Sequence, residues 1–543
     1  MRRLTGLDAS FLYLETPNSH MHVAGTYVFD PAGVPGGYSF DRMKAVIGNR
    51  LHLLPPFRRR LVEVPFGLHH PIWIEDPDFD LGHHVLRAEI RAPGGKDELA
   101  EIAAEIMGLP LDRTRPLWEM HFIEGLEHGY VAMVSKTHHA AIDGASGAAL
   151  TSSLLDTSPE LVMYDEPVWL PEKIPSDSEM LVYAVNAISH QPSALARALR
   201  DSVEIALDHR KRPTTERTDP PAGLFRSPRT SLNVPISPRR GFGFTEVALA
   251  DVKRVRKAFG GTVNDVVLAV CGSALRQYLV DRSELPLDPL VAMVPISIRS
   301  DDQQGDMGNR VSNMFVALAT DVADPVARLQ KISEHTALAK AHATAAGGDA
   351  LASWAEFAAP GLVAPAVRWY ASLRLAERHR PAFNVTISNV PGPQDPLYFA
   401  GSRLVAWYPM GPIFDGAALN MTVMSYNGVV YVGLVACNDA VPEMAAIAGY
   451  IDDAMAELLA AVERAEIVSP TIARRADSVA ASLKRSANSK SVNNRSVNNR
   501  SVDNRSVKVK STRRAESLSA TSNGNQQPVR KSRNEKPVAR QRK

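Results

Sequence analysis

Strand and helix signals alternate along two stretches of the chain, and a proline-rich segment lies between them. In the first stretch, Gly129–Thr137 is rich in Val and Met with little polar alternation, which is typical of a strand buried on both faces. In the second, Asn427-Gly428 separates two strand-like runs and indicates a hairpin turn. Two similar α/β halves joined by a long connection predict a two-lobed α/β protein with a cleft between the lobes.

The individual elements follow from the spacing of apolar residues. Helical spacing predicts helices over Phe40–His52, Asp97–Leu109, Asp251–Phe259, Val263–Val280 and Glu443–Ala465. Extended patterns predict strands over Ala24–Phe29, Leu290–Ile298, Ser312–Leu318, Phe383–Ser388, Asn420–Tyr426 and Val429–Cys437. We divide the chain into an N-terminal lobe (1–160), a Pro-rich helical crossover (161–240), a C-terminal lobe (241–468) and a tail (471–543).

The net charge of +2 conceals two parts of opposite sign. The tail carries 19 Lys or Arg and 4 Asp or Glu, a charge of +15, and the first 470 residues carry 42 and 55, a charge of −13. The tail lacks aromatic residues and repeats the pentamer SVNNR, so we expect it to be disordered. Three roles stay open for it: a solvated extension, contact with anionic lipid, or nonspecific attraction to nucleic acid, which the lack of stacking residues weakens.

Several classes of protein are excluded by what the sequence lacks. Cys271 and Cys437 are too few for a disulfide scaffold or a zinc ribbon. We find no signal peptide, and no apolar run approaches the ~18 residues of a membrane span. We therefore expect a cytoplasmic protein, with the inner membrane face or lipid inclusions as sites of peripheral contact. Dinucleotide and ATP motifs are absent, and no metal is expected, because these histidines fit no standard spacing: His20, His22, His69, His70, His83 and His84.

Candidate catalytic residues concentrate in the run THHAAIDGASG, residues 137–147, where a buried strand ends. Because side chains alternate along a strand, His138 and His139 are expected to point to opposite sides and not to share a metal. Gly144 permits close approach of a backbone. From the residues alone, a buried His bonded to a carbonyl and an Asp143 that caps a helix is the alternative to a catalytic site.

The run resembles HHxxxDG, the active-site motif of the CoA-dependent acyltransferases, which share a fold like that of chloramphenicol acetyltransferase. Within that superfamily the chain resembles the bacterial wax ester synthase/diacylglycerol acyltransferase family over residues 1–465. Further resemblances to motifs of that family occur in the family's order, at Leu7–Val23, Arg115–Glu119, Asn264-Asp265, Pro295–Arg299 and Ser388–Pro393. The tail has no counterpart in the family pattern.

The resemblance implies a role for each motif residue. His139 is the general base, since a neutral imidazole with a reference pKa of ~6.5 can take a proton from an alcohol near neutral pH. His138, which points away from the cleft if His139 points into it, supports the loop or touches substrate. Asp143 holds the loop, with Arg299 as candidate partner, because a buried carboxylate must be paired. Backbone N–H groups around Gly144 are candidate oxyanion donors.

Four further residues are implied to touch the substrate. Pro116, Leu117 and Trp118 would line an acyl channel, although a Trp after a Pro turn is also typical of packing. Asn264 would face the cleft near the thioester. Asp265 we assign mainly to a helix cap, because Thr262 lies three residues before it in a capping-box arrangement.

The expected function is transfer of a long-chain acyl group from acyl-CoA to diacylglycerol, or to a long-chain alcohol. Acyl-CoA is a co-substrate, and no other cofactor is expected. Two alternatives stay open: a condensation-type acyltransferase with a carrier-bound donor, and a non-catalytic lipid-binding or scaffold protein that retains the fold. No specific nucleic-acid partner is expected, and a monomer is sufficient because one chain supplies both lobes.

Overall fold

The computed structural model describes residues 2–142, 153–165, 169, 171–189, 227–297, 311–345 and 360–467. The predicted disordered tail lies outside the described residues, as does much of the crossover. The described residues belong to one compact unit, residues 1–470.

The first half builds its elements close to where the sequence predicts them. Thr5 and Ser39 each accept an N–H from the first turn of a helix, which caps the two helices that follow them. The strands are β1 Arg2–Arg3, β2 His22–Asp30, β3 Arg59–Val62, β4 Ile72–Glu75, β5 Val85–Glu89, β6 Trp118–Glu124 and β7 Val131–His138. The helices are α1 Gly6–Tyr13, α2 Phe40–Arg50, α3 Lys96–Gly108 and, in the crossover, α4 Asp177–Ser189.

The second half confirms the predicted elements, including the hairpin. Asn427 and Gly428 have φ of 46° and 80°, the left-handed pair that a tight hairpin turn requires. The strands are β8 Arg240–Ala248, β9 Val291–Ser297, β10 Val311–Ala317, β11 Val385–Pro391, β12 Tyr398–Phe399, β13 Ser402–Met410, β14 Leu419–Tyr426 and β15 Val429–Cys437. The helices are α5 Leu249–Phe259, α6 Val263–Asp281, α7 Pro325–Ala345, α8 Pro360–Ser372 and α9, residues 444–467.

Two six-stranded sheets form the two lobes, which confirms the two-lobed α/β fold. The first sheet has the order β12-β13-β2-β7-β6-β5, and the second has the order β10-β9-β11-β14-β15-β8. Strands β12 and β13 follow β11 in the chain yet complete the first sheet, where β13 runs antiparallel to β2. The lobes are therefore interleaved, and residue 241 does not separate their strands cleanly.

The crossing of β13 over the second sheet depends on a glycine. A Cβ placed on Gly433 of β15 would lie 1.8 Å from the carbonyl oxygen of Pro409 on β13. No side chain fits at that distance, so the glycine sets how closely the lobes approach each other.

Helix α6 forms the centre of the second core. It carries a run of fully buried residues from Val266 to Leu275 and begins at the predicted capping box. Asp265 accepts from the N–H of Thr262 at 2.7 Å, and the Thr262 hydroxyl accepts from the N–H of Asp265 at 3.2 Å, which confirms the cap.

In the described part of the chain, no single helix has the length and apolar character to cross a membrane. Helices α5 and α6, which meet at a bend of 101°, meet the length and composition test only as a pair.

Candidate active site

A cavity of about 450 Å³ lies between the two sheets. This volume is within the range of sites that bind small molecules. The first sheet, with α1, supplies one wall, and the second sheet supplies the other. Its lining is mostly apolar with a few polar side chains, and it includes Leu7, Phe11, Leu14, Gly25, Tyr27, Phe57, Ser135, Thr137, His139, Met293, Ser388, Trp407, Thr422 and Met424.

His139 lies at the end of β7 and lines this cavity. It shares a face with Met133, Ser135 and Thr137, because alternate residues of a strand point to the same side. The His139 N–H donates to the carbonyl of Met21 at 2.9 Å, which ties the residue to the start of β2. The imidazole stacks on the Phe11 ring with centroids 4.0 Å apart, so α1 fixes the plane of the ring.

His138 points to the opposite side of β7, where its side chain is buried. Its Nδ1 accepts the N–H of Ala140 at 3.0 Å, so the proton of the neutral ring must lie on Nε2. That Nε2 is 3.3 Å from a carboxylate oxygen of Glu15. His138 therefore links Ala140, which follows His139, to Glu15 in the N-terminal segment.

Glu15 is held in turn from its other side. Its second carboxylate oxygen is 3.3 Å from the guanidinium of Arg113. A carboxylate that faces Nε2 favours the tautomer in which Nδ1 stays free to accept from Ala140. The geometry gives Glu15 a positioning role on the turn that carries His139.

We expect Glu15→Ala to lower kcat about tenfold, because the carboxylate that faces His138 Nε2 is lost and about 1.4 kcal/mol of lost transition-state stabilisation is a factor of ten in rate. Glu15→Gln should restore most of the activity, since its amide oxygen can take the place of the carboxylate oxygen that faces Nε2. The measurement is kcat together with the ¹⁵N chemical shifts of His138, which report the tautomer. Equal kcat for wild type and Glu15→Ala would contradict the positioning role.

Lys136 is fully buried on the same face of β7 as His138. Its ammonium donates to the carbonyls of Ile106 and Leu109 at 3.1 and 3.0 Å, at the negative end of the α3 dipole. Burial lowers the pKa of Lys136, and the Glu119 carboxylate at 3.1 Å opposes that shift. These contacts let a strand buried on both faces carry a lysine, and they anchor β7 to α3.

His22 lies opposite His138 on the neighbouring strand β2. Within the described residues neither of its ring nitrogens has a hydrogen-bond partner. Burial, followed by the nearby Lys136 charge, holds the pKa of His22 well below its usual value. The ring is therefore neutral at neutral pH.

The lowered pKa of His22 predicts loss of stability in acid. The unfolded chain binds this proton near pH 6.5 and the folded chain does not, so the stabilisation is complete above that pH and is lost as the pH falls below it. Between pH 6.5 and 5.5 we expect about 1 kcal/mol less free energy of unfolding from this group. Urea unfolding at both pH values should show a smaller decrease for His22→Leu than for wild type. An unchanged pH dependence in that variant would be the contrary result.

The PLW residues lie one layer behind the cavity wall, not on it. Leu117 is buried, and its carbonyl accepts the N–H of His138 at 3.0 Å. The Trp118 indole donates to the carbonyl of Phe57 at 2.8 Å and stacks on the Phe57 ring at 4.5 Å. Phe57 itself lines the cavity. The structure places the Trp118 indole against the rings of Phe57 and His84, and not among the residues that line this cavity.

Pro116 and Asn264 are likewise outside the set of residues that line the cavity. Pro116 is buried at the turn before β6. The side-chain oxygen Oδ1 of Asn264 accepts from the side-chain amide of Asn389 at 3.3 Å, which links the start of α6 to β11. The structure therefore brings His138, His139 and the PLW segment together and leaves Asn264 against β11.

Asp143, Gly144 and Arg299 lie outside the described residues, so their predicted pairing stays a prediction. Phe11 and Glu15 are site residues that were not predicted. Both belong to the Leu7–Val23 segment, whose resemblance was noted without a role for any side chain. The alternation along β7 from His139 could have identified Ser135 and Thr137.

Two interleaved α/β lobes around an apolar cavity, with consecutive histidines at the end of a central strand, define the class of CoA-dependent acyltransferases with an HHxxxDG motif. Two family models narrow the class. The wax ester synthase/diacylglycerol acyltransferase catalytic domain matches residues 4–267, and the WS/DGAT C-terminal domain matches residues 307–459. The chain belongs to the wax ester synthase/diacylglycerol acyltransferase family, and it is an acyltransferase.

Relatives and a solved structure agree with this assignment. A Mycobacterium tuberculosis (strain ATCC 25618 / H37Rv) protein named as a diacylglycerol O-acyltransferase is 39% identical over 464 residues, 84% of this chain and 90% of the relative. A second protein of that strain with this name is 36% identical over 435 residues, 78% of this chain and 90% of the relative. The wax ester synthase/diacylglycerol acyltransferase from Marinobacter aquaeolei VT8 is similar with a TM-score of 0.60 and 31% identity, covering 85% of this chain and all of that one.

Proposed function

We propose that the enzyme transfers a long-chain acyl group from acyl-CoA to the hydroxyl of diacylglycerol, and also to long-chain alcohols. The observation that carries the proposal is the His139 imidazole in the wall of an apolar cavity between the lobes. A basic nitrogen in such surroundings suits deprotonation of a lipid alcohol, because the apolar walls accept the chains of both substrates.

His139 acts on the acceptor hydroxyl as a general base. As the ring takes the hydroxyl proton, the alcohol oxygen attacks the thioester carbonyl and a tetrahedral intermediate forms. The intermediate collapses to the ester, the C–S bond breaks, and CoA leaves as a thiolate that takes the proton back from His139. No acyl-enzyme and no redox step are needed, so acyl-CoA as co-substrate completes the balance without another cofactor.

Residues around the base hold it in its reactive form. Phe11 stacks on His139 and excludes water from one face of the ring. His138, bonded to Ala140, keeps the turn after His139 in place. Asp143, with Arg299 as its candidate partner, would hold the rest of the loop, and the N–H groups near Gly144 would receive the oxyanion.

Incubation of the purified chain with labelled palmitoyl-CoA and either diolein or hexadecanol tests the proposal. Labelled triacylglycerol or wax ester supports the transfer and shows which acceptor is used. Binding of acyl-CoA without product would favour the lipid-binding alternative. Transfer only from a carrier-bound thioester would favour the condensation-type alternative.

The basic tail is proposed to contribute peripheral contact with an anionic membrane or lipid droplet. Its charge of +15 suits anionic lipid, since each Lys or Arg near such a surface adds about 1 kcal/mol. This attraction is electrostatic, so it should weaken as salt is added.

A further inference from the structure

Large apolar side chains are exposed together on three neighbouring elements near α1. Phe66 is 86% exposed in the turn Pro65–Gly67, and Trp369 on α8 is 73% exposed. On α4, Val182 and Val185 are 61% and 64% exposed. The turn contacts both helices, and we call these four exposed residues the exposed apolar patch. Apolar patches of this kind on a folded protein mark an interaction surface.

Both helices are well packed on their inner faces, which makes the exposure of their outer faces informative. Helix α4 buries Met180 and Ala184 against β4. Helix α8 packs Val363 and Ala364 against the cluster that contains Leu12 of α1. Helices α4 and α8 therefore carry exposed apolar residues on their outer faces in addition to the apolar residues that pack on their inner faces.

Phe66 occupies a backbone conformation that disfavours its side chain. Its φ is 62°, in the left-handed region where a bulky residue is uncommon. Neither intrinsic backbone preference nor core packing accounts for a Phe there, because the ring is almost wholly exposed. Contact of the Phe66 ring with a partner outside the protein would account for a Phe at this position.

The charges around the patch match an anionic surface. Arg368 lies next to Trp369, and Arg378 and Arg380 follow the same helix. All three are exposed, and in the described part of the chain none of them has a carboxylate oxygen within 4.0 Å of its guanidinium. Arg378 lies near the Glu377 carboxylate, which pairs with Arg374. The acidic groups of α4, Asp177 and Glu179, are confined to its first turn. A Trp beside exposed arginines is the pattern found where proteins meet lipid headgroups.

The patch is also connected to the cavity through α1. Helix α8 contacts α1, and Leu7 and Phe11 of α1 together with Leu14 line the cavity. Leu14 is also 39% exposed, so it lies where the cavity reaches the surface. A lipid surface bound to the patch would thus lie next to the part of the cavity wall formed by α1 and Leu14, where diacylglycerol would enter.

We propose that the exposed apolar patch, Phe66, Val182, Val185 and Trp369, docks the enzyme on an anionic lipid surface, with Arg368, Arg378 and Arg380 at the headgroups. The proposal rests on the proposed function for its purpose, since a lipid acceptor and product lie in such a surface. It assigns the insertion to the folded part of the chain, and the tail adds only electrostatic attraction.

Vesicle flotation of the full chain tests the proposal, with phosphatidylcholine vesicles that contain or lack phosphatidylglycerol. The test variant combines Phe66→Asn, which tolerates the left-handed backbone, with Trp369→Gln, which suits a helix. The matched control is Leu287→Gln, which changes a residue that is 97% exposed in the loop between α6 and β9. Circular dichroism and urea unfolding establish that all the proteins fold.

We expect the double variant to bind anionic vesicles at least about tenfold more weakly in high salt, where the tail contributes little, and Leu287→Gln to bind like wild type. Equal flotation of the double variant and the wild type would overturn the proposal. It would also be overturned if the wild type is a dimer and the double variant a monomer, because the patch would then be an interface between two copies of the chain. Transfer with short, water-soluble substrates should be unchanged in the double variant. Because flotation needs no turnover, a wild type without activity would remove the proposed function and leave the docking test valid.

Discussion

Replacing His139 with Ala should lower kcat roughly a hundred- to ten-thousandfold, the usual contribution of a general base. The variant would lack the only histidine that lines the cavity among the described residues, and so the only imidazole there that could take the proton of the acceptor hydroxyl. The fold should be retained, because the backbone N–H that binds Met21 is unaffected and the imidazole, which stacks on Phe11, lies in a cavity wall and not in the packed core. The measurement is single-turnover transfer from labelled acyl-CoA, with circular dichroism and urea unfolding on the same preparation.

His83→Ala is the matched control for that experiment. The His83 ring is 48% exposed in a turn outside the cavity, so its removal should leave transfer unchanged. A His139→Ala protein with near-native turnover would remove the general-base assignment. A folded, inactive His139→Ala beside an active His83→Ala would support it.

Replacing Ser135 with Phe should lower kcat/KM for long acyl or alcohol chains much more than for short ones. Ser135 points into the cavity two positions from Thr137, and a ring there would occupy space that a chain needs. Each buried methylene stabilises by about 0.8 kcal/mol, so exclusion of four methylenes costs about 3 kcal/mol, or about two orders of magnitude in kcat/KM. The measurement is kcat/KM along a series of acyl-CoA and alcohol chain lengths.

Ser135→Ala provides the control for cavity volume. It removes the hydroxyl and adds no bulk, so the dependence of kcat/KM on chain length should match that of wild type. If Ser135→Phe lowers kcat/KM equally for short and long chains, the cavity does not hold the chain at this point. A lower urea midpoint for Ser135→Phe alone would measure the strain of the added ring separately.

The elements with a strong pattern were predictable from the sequence. Val429–Cys437 and its hairpin were located to the residue, because continuous apolar runs beside Asn-Gly have few other conformations. The opposite orientation of His138 and His139 followed from the alternation of a strand. The sequence could not decide whether Trp118 lines the cavity. Whether its indole faces the cavity or donates to the Phe57 carbonyl depends on tertiary packing.

Local sequence determined the strands, the helices and their caps, the consecutive histidines and the family to which they belong, because these depend on short-range spacing and on motifs. Tertiary structure alone decided that β13 completes the first sheet, that Phe11 and Glu15 converge on the two histidines, and that an exposed apolar patch adjoins α1. These contacts join residues that are distant in the chain. Their formation depends on how whole sheets and helices pack, which no local pattern of residues encodes.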